Sequence, residues 1–439
     1  MNSKTIVRVW ISPVKWNLWI WALRSHIYNI STALHQILKD KEAEIIFRCD
    51  DTNNKKIDYK ILNELTEILK QHFWINIDSK DFIKQSERYH IYEGHLKKLI
   101  EKWFILDDTE WCKSFNIKKY IEIFWERIEI NDILLWNISF DLNNITNIDK
   151  GTRIQRSDGN FLYNFASVID DSEFGTTHIT RWKDKISTIP FQEMFRNTLD
   201  FSSKLNYIHL PLLLTDKGKE NGWFHGNEQY KIFLKAGIIP EAINSYIFSS
   251  GYGSPEEIYM NPQEFYTQFN IKKIHKSSAN FDFNKILNNN KKILQKITDD
   301  KYLYHLKTYL HINQENELLQ ALNDKNIEKL AISLKKNLPG TKIVLDDILN
   351  PKHNLDELTK DHKCCIKFLL QTKIPLNYNH LDEIIKKIWL EKRIVIETIR
   401  RIITWKTNGP CVNLLLNHLC IDWATQKIEK IYSHLLWER

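Results

Sequence analysis

The stretch Arg8–Arg24, RVWISPVKWNLWIWALR, constrains the fold more than any other part of the chain. Apolar residues alternate over Thr5–Trp10, which predicts a short strand, and recur at helical spacing over Leu18–Leu38, which predicts a helix. Strand, tight turn and helix in that order open an α/β sheet and turn backbone N–H groups and a helix N-terminus towards a site where an anion can sit. Such a turn calls for glycine, so that the backbone can approach a ligand closely. Here it carries Trp16 and Trp21 instead. An opening of this kind is shared by many nucleotide-binding folds and by many that bind nothing, so it sets architecture before it sets function.

The chain continues in the same alternation. EIIFRCDDT (44–52) reads as a second strand ending in acids, and Ile61–Phe73 as an amphipathic helix. QSERYHIYEGHLKKLIEKWF (85–104) reads as an amphipathic helix on the sheet, a further helix is expected near 190–200, and IHLPLLL (208–214) reads as a strand. From about residue 290 the sequence turns rich in Asn, Lys and Ile at helical spacing, the pattern of an α-bundle. A chain of 439 residues has room for two to four domains.

Composition excludes more than it assigns. A net charge of +7 is compatible with a polyanionic partner without requiring one. The six cysteines (49, 112, 364, 365, 411 and 420) form no C-x-x-C pair and no secretory framework, so reduced thiols and a cytoplasmic location are expected. Cys112 lacks neighbouring ligands, so no zinc is expected. No signal-peptide pattern and no run of about 18 apolar residues occurs, so no membrane is expected either.

The longest ordered signal is RSDGNFLYNFASVIDDSEFGTTHITRWKD (156–184). It is similar to R-S-D-G-x-x-x-Y-N-F-A-x-V-x-D-D-x-x-x-G-I-T-H-x-x-R-G-E-D of the bacterial glutamyl-tRNA synthetases, a family of class I aminoacyl-tRNA synthetases. Arg8, Ser12, Pro13, Leu18, Ile20 and Arg24 fit that family's opening R-F-A-P-S-P-T-G-x-L-H-I-G-G-A-R with one extra residue after Pro13. Arg48, Asp51 and Thr52 fit its F-I-L-R-I-E-D-T-D, with Asp50 one methylene shorter than the usual Glu. EQYKIFLKAGIIPEAINSYIFSSGYGSPEE (228–257) and the tail IETIRRIITWKTNGP (396–410) carry the likeness towards the C-terminus. Two signatures depart from the family. Trp19 stands where it has the His of H-I-G, and Glu220–Phe224 replace its K-L-S-K-R, which removes both lysines.

Seven tryptophans (16, 21, 74, 103, 136, 182 and 405) fall on family glycines in separate elements. Glycine numbers only 12 and tryptophan 15, whereas glycine is ordinarily about 7% of a chain; the two together come close to that share. A gene whose UGA codons mean glycine, translated with a table that reads them as tryptophan, would produce this pattern. A drifting paralogue with genuine tryptophans is the other reading.

The resemblance implies an α/β fold: a Rossmann-like class I catalytic domain with a parallel sheet, followed by an all-α anticodon-binding region. Its expected segments are 1–104 and 186–227 for the two catalytic halves, 105–185 for the acceptor-end insert, 228–300 for stem contacts and 301–439 for the anticodon domain. The implied activity is ATP-dependent activation of glutamate to glutamyl-adenylate and transfer to tRNA, with Mg²⁺ accompanying ATP, by a protein expected to be monomeric. Arg8, Ser12, Asp50, Tyr163, Ser167 and Arg181 would bind substrate; read without the family, Arg181 is a surface ion-pair residue. Ser12, Pro13, Trp16, Lys217 and Lys219 would meet ATP, and Trp19, Trp21, Lys219 and Trp223 occupy the degenerate signature positions. The alternative is a catalytically impaired paralogue that binds tRNA as a regulatory module.

Overall fold

The computed structural model describes residues 4–12, 20–52, 58–107, 112–146, 148–214, 229–254, 257–335, 337–349, 359–372, 381–388, 390–404, 411–412, 415–416 and 419. Contacts divide the chain into two compact units, residues 1–231 with 240–286, and residues 232–239 with 287–439.

The first unit is built on a sheet that starts with strand β1 (Thr5–Ile11), helix α1 (Ile20–Ile37), β2 (Ala43–Cys49), α2 (Lys60–Phe73), β3 (Ile83–Lys84) and α3 (Tyr89–Glu101). A small antiparallel sheet follows from β4 (Ile105–Asp107), β5 (Lys113–Phe115) and, later, β8 (Thr152–Gln155). The chain rejoins the main sheet through the hairpin β6 (Arg127–Asp132) and β7 (Trp136–Asp141), then α5 (Tyr163–Glu173), β9 (His178–Trp182), α6 (Ile189–Thr198) and β10 (Asn206–Leu210), with α4 (Ile117–Ile123) between β5 and β6. The main sheet runs β3-β2-β1-β9-β10-β6-β7, parallel except for the terminal β6–β7 pair. Val7, Val9 and Ile11 are fully buried, as the strand of a parallel sheet covered on both faces requires.

The run 208–214 is not one strand. It breaks at Pro211, whose missing N–H cannot continue the ladder, and Leu213–Leu214 (β11) pairs with Ala279–Asn280 (β12) in a separate sheet. Likewise 85–104 opens with a 3₁₀ turn over Gln85–Arg88 before α3 begins. The second unit is helical, with Asp299–Ile312, Lys325–Ser333, Leu338–Leu349, Lys360–Thr372 and Lys392–Thr404 burying Leu306, Leu310, Leu330, Leu345, Ile399 and Ile402. Among the described residues no helix is long and apolar enough to cross a membrane.

Backbone conformation singles out three tryptophans. Among the described residues, the non-glycines with φ in the left-handed region are Asp40, Asp200, Gln314 and Trp74, Trp103 and Trp136, at φ 57°, 60° and 70° for the last three. Asp adopts that region without much penalty, whereas a bulky side chain there costs about 1–2 kcal/mol. The reason is local geometry. Phe104 N–H donates to Leu99 C=O and Trp103 N–H to Ile100 C=O, the paired bonds of a Schellman cap that puts Trp103 in the position glycine usually fills. Trp74 ends α2 in the same conformation, and Trp136, the first residue of β7 and paired with Asp132, takes it directly after the three-residue β6–β7 turn.

Candidate functional site

The strand order reverses between β1 and β9: β2 and β3 continue outward on one side, β10 and β6 on the other. In an open parallel sheet the crevice at the carboxyl ends of such strands is where ligands bind. Here that crevice is a cavity of about 30 Å³ lined by Trp10, Ile11, Ser12, Ala22, Ser25, His26 and Trp182. Ser12 follows β1, Ala22, Ser25 and His26 come from the first turns of α1, and Trp182 ends β9. The Trp182 indole is 5% exposed and lies beneath the Arg24 guanidinium, 5.3 Å from its ring centre. The cavity is small as these side chains line it, with the Trp182 indole as one wall.

Below the crevice, on the side of α5 and α6, lie two buried arginines. Arg8 donates from Nε to Asp171 at 2.5 Å, and its Nη1 is buried with no hydrogen-bond partner. Arg181 is 2% exposed, which corrects the surface reading. It donates from Nε to His209 Nε2 at 3.1 Å and from Nη1 to Gln192 at 2.8 Å, while Nη2 is buried without a partner. Gln192 in turn reaches Ser167 Oγ at 3.3 Å and Asn164 at 3.4 Å, which ties α5 to α6 at this point. Tyr163 sets its ring 6.4 Å from that of Trp10. The structure thus links Arg181 to Ser167 through Gln192, and joins Tyr163 to the cavity through Trp10.

Asp50 is already engaged. Arg48 holds it with two parallel bonds, Nε at 2.5 Å and Nη2 at 3.1 Å, so a substrate amino group would have to use the carboxylate's remaining lone pairs. Burial nevertheless raises the Asp50 pKa from its ordinary value, against the pull of Arg48. The pair belongs to a larger cluster: Arg48 Nη1 also lies 3.3 Å from Asp171 and 3.7 Å from Asp170, and Arg88 Nε lies 2.8 Å from Asp170. Tyr92 and Gln85 complete Asp170's hydrogen bonds.

His209 was not singled out by sequence, and it orients Arg181. Its Nδ1 is 2.7 Å from Asp132, and its Nε2 accepts from Arg181, so the ring is neutral with its proton on Nδ1. Burial holds its pKa below the ordinary imidazole value, and burial lowers that of His26 to about 4. A histidine held below its unfolded pKa binds fewer protons when folded, so the stability it confers is present above about pH 6.5 and lost as pH falls through that value. For His26 this loss runs between pH 6.5 and about 4, so urea unfolding of the first unit should weaken across that window, by at most about 1.4 kcal/mol per pH unit from this residue. A stability independent of pH in that window would exclude the assignment, and His26→Gln should remove part of the slope.

Pro13, Trp16, Trp19, Lys217, Lys219 and Trp223 lie outside the described residues, and of Trp21 only the backbone, in α1, is described. Among the described residues no group of three His, Cys, Asp or Glu side chains could hold a metal ion.

A mostly parallel sheet whose strand order reverses at β1/β9 defines a doubly wound, Rossmann-like α/β domain. Residues 24–104 and 122–288 match the family model described as tRNA synthetases class I (E and Q), catalytic domain, and the chain belongs to that family. It is 25% identical over 424 residues to the glutamate–tRNA ligase 1 of Campylobacter jejuni, covering 88% of this chain and 93% of that one. A glutamate–tRNA ligase 1 of Campylobacter fetus is 27% identical over 336 residues, covering 75% and 71%. The fold is that of a glutamate tRNA ligase from Elizabethkingia meningosepticum, with a TM-score of 0.76, 18% identity and coverage of 98% and 99%.

Proposed function

We propose that the chain is a glutamate–tRNA ligase, which uses ATP to activate glutamate and passes the glutamyl group to tRNA. The observation that carries this reading is the pair of unpartnered nitrogens, Arg8 Nη1 and Arg181 Nη2, buried on the two strands that flank the reversal. A buried cationic N–H without an acceptor costs free energy, and a carboxylate is the group whose arrival satisfies it most strongly. The similarity to proteins named glutamate–tRNA ligase points to glutamate as the source of that carboxylate and to tRNA as the acceptor.

In this reading Arg8 and Arg181 bind and orient the amino acid, Tyr163 and Ser167 line its place, and Asp50 meets its amino group. Catalysis then rests on positioning and on stabilising charge at the transferring phosphoryl group, with Mg²⁺ carried mainly by the phosphates. A second reading, a tRNA-binding paralogue with impaired activation, is favoured by Trp19 in place of the family's His and by the loss of both motif lysines in 220–224. Each lost donor of this kind costs roughly 10²–10³ in rate. An ATP–pyrophosphate exchange assay with glutamate and tRNA separates the two. Exchange dependent on glutamate is expected for the ligase, and exchange at background with intact tRNA binding would establish the paralogue.

A further inference from the structure

We infer that the natural protein carries glycine at positions 74, 103 and 136, where the written sequence has tryptophan, and that the same substitution at 182 opens the crevice between β1 and β9. Three observations meet at the first three positions. All three take the left-handed conformation that only glycine adopts freely, at φ 57°, 60° and 70°. All three are indoles left in solvent, 59%, 79% and 71% exposed, although tryptophan is on average a well-buried residue. All three stand at the point where a helix or hairpin needs that conformation to close its hydrogen bonds, so the backbone, not the side chain, selects the residue.

The indoles do little that would justify the strain. Trp136 has Lys276 Nζ over its ring at 4.9 Å, an exposed contact. Elsewhere among the described residues the left-handed positions hold glycine at 151, 159, 175, 237, 251 and 253, and otherwise only the smaller or unbranched Asp40, Asp200 and Gln314. At Gly251 the reason is plain, since an added Cβ would come within 2.8 Å of Arg24 Nη2. Glycine is scarce in the chain as written and tryptophan abundant, 12 against 15. One change of codon meaning, glycine for tryptophan at UGA, accounts for the conformations and the composition together. Independent mutations would have had to land on left-handed positions three times with the residue least suited to them.

Trp182 differs in kind. Its backbone is ordinary, with φ −74°, and its indole is buried. What the indole does is wall the small cavity at the crevice, beside Ser12 and His26. Glycine there would add the volume of an indole to the one place in this unit where the topology expects a ligand. This part of the inference rests on the proposed function, and the first three positions do not.

The decisive experiment is peptide mass spectrometry on the protein isolated from its source, with sequencing of the gene. Glycine in the peptides spanning 74, 103 and 136, with UGA codons, is expected; tryptophan there, or UGG codons, overturns the inference. Recombinant variants supply an independent arm. The triple change Trp74→Gly, Trp103→Gly, Trp136→Gly should raise the melting temperature above that of the corresponding triple alanine variant. Alanine removes the same indoles but keeps a Cβ at positive φ, so equal melting temperatures would refute the conformational argument. Trp182→Gly should bind ATP, read by equilibrium dialysis without any turnover, where the parent does not. ATP binding by Trp182→Gly without exchange would retain the glycine assignment and count against the ligase, and no gain in ATP binding would overturn the assignment at 182 alone.

Discussion

Arg48→Met is expected to destabilise the sheet-containing unit by about 3–5 kcal/mol. Arg8, Arg48 and Arg88 face Asp50, Asp170 and Asp171 in a cluster in which charges balance and no side chain is more than 15% exposed. Removing the central guanidinium, which touches all three carboxylates, leaves a net negative charge in a place water does not reach. The Asp50 carboxyl, already raised by burial, then loses the partner that opposed the rise. The sign of the pH effect follows. A carboxyl whose folded pKa lies above its unfolded one stabilises while protonated and loses that contribution as pH increases, so the variant should suffer more at pH 7 than at pH 5.

The control is Lys70→Met. Its partner Asp78 and Lys70 itself are 53% and 37% exposed at the side chain, and such pairs are worth less than about 1 kcal/mol. Urea unfolding at both pH values measures both variants. An Arg48→Met loss no larger than that of Lys70→Met would mean that the carboxylates are hydrated in the native state, contrary to their burial. Asp50→Asn in the Arg48→Met background should recover part of the loss, because it restores the balance of charge.

Arg181→Ala is expected to weaken glutamate binding by about 30-fold to several thousand-fold, the 2–5 kcal/mol typical of truncating one partner of a buried charge pair. Arg181 is held on two of its three nitrogens, by His209 and Gln192, and the third is buried and unpartnered. That arrangement fixes the fork in place before any ligand arrives, which limits the ordering cost of binding. Calorimetric titration with glutamate tests this without requiring turnover. Binding by Arg181→Ala within threefold of the parent would remove Arg181 from the substrate site. His209→Gln, which keeps an acceptor for the guanidinium, should cost less than tenfold, whereas His209→Leu strands both Arg181 Nε and Asp132 and should cost more.

Much of this was legible from residue order. The strand–turn–helix opening, the acids ending β2 and the long matched stretch 156–184 all concern contacts along one strand or one helix, where spacing decides what faces what. The break at Pro211 was legible in principle, because proline forbids the ladder bond, but the apolar run around it masked the signal. What spacing could not reveal were partnerships across the sheet. Asp132 and His209 lie 77 residues apart and meet only because β6 and β10 are neighbours. Arg181 read as a surface residue because a lone arginine usually is one; its burial depends on α6 folding back to bring Gln192 against it. The tryptophans show the converse. Sequence marked them as out of place, and φ supplied the physical reason at three of them.

Arg24 carries a consequence for the order of events during synthesis. Its guanidinium is fully buried and donates to the carbonyls of Pro211 and Ser250, 187 and 226 residues further along the chain. A nascent chain that has delivered α1 and the first strands therefore holds a cation whose acceptors have not yet been made, and the helix cannot settle with that cation buried until more than half of the polypeptide has left the ribosome. The start of α1 is thus anchored by the later chain as well as by its own immediate neighbours. Fragments ending before residue 211 should leave the first turns of α1 open to proteolysis, while those extending past residue 286 should protect them.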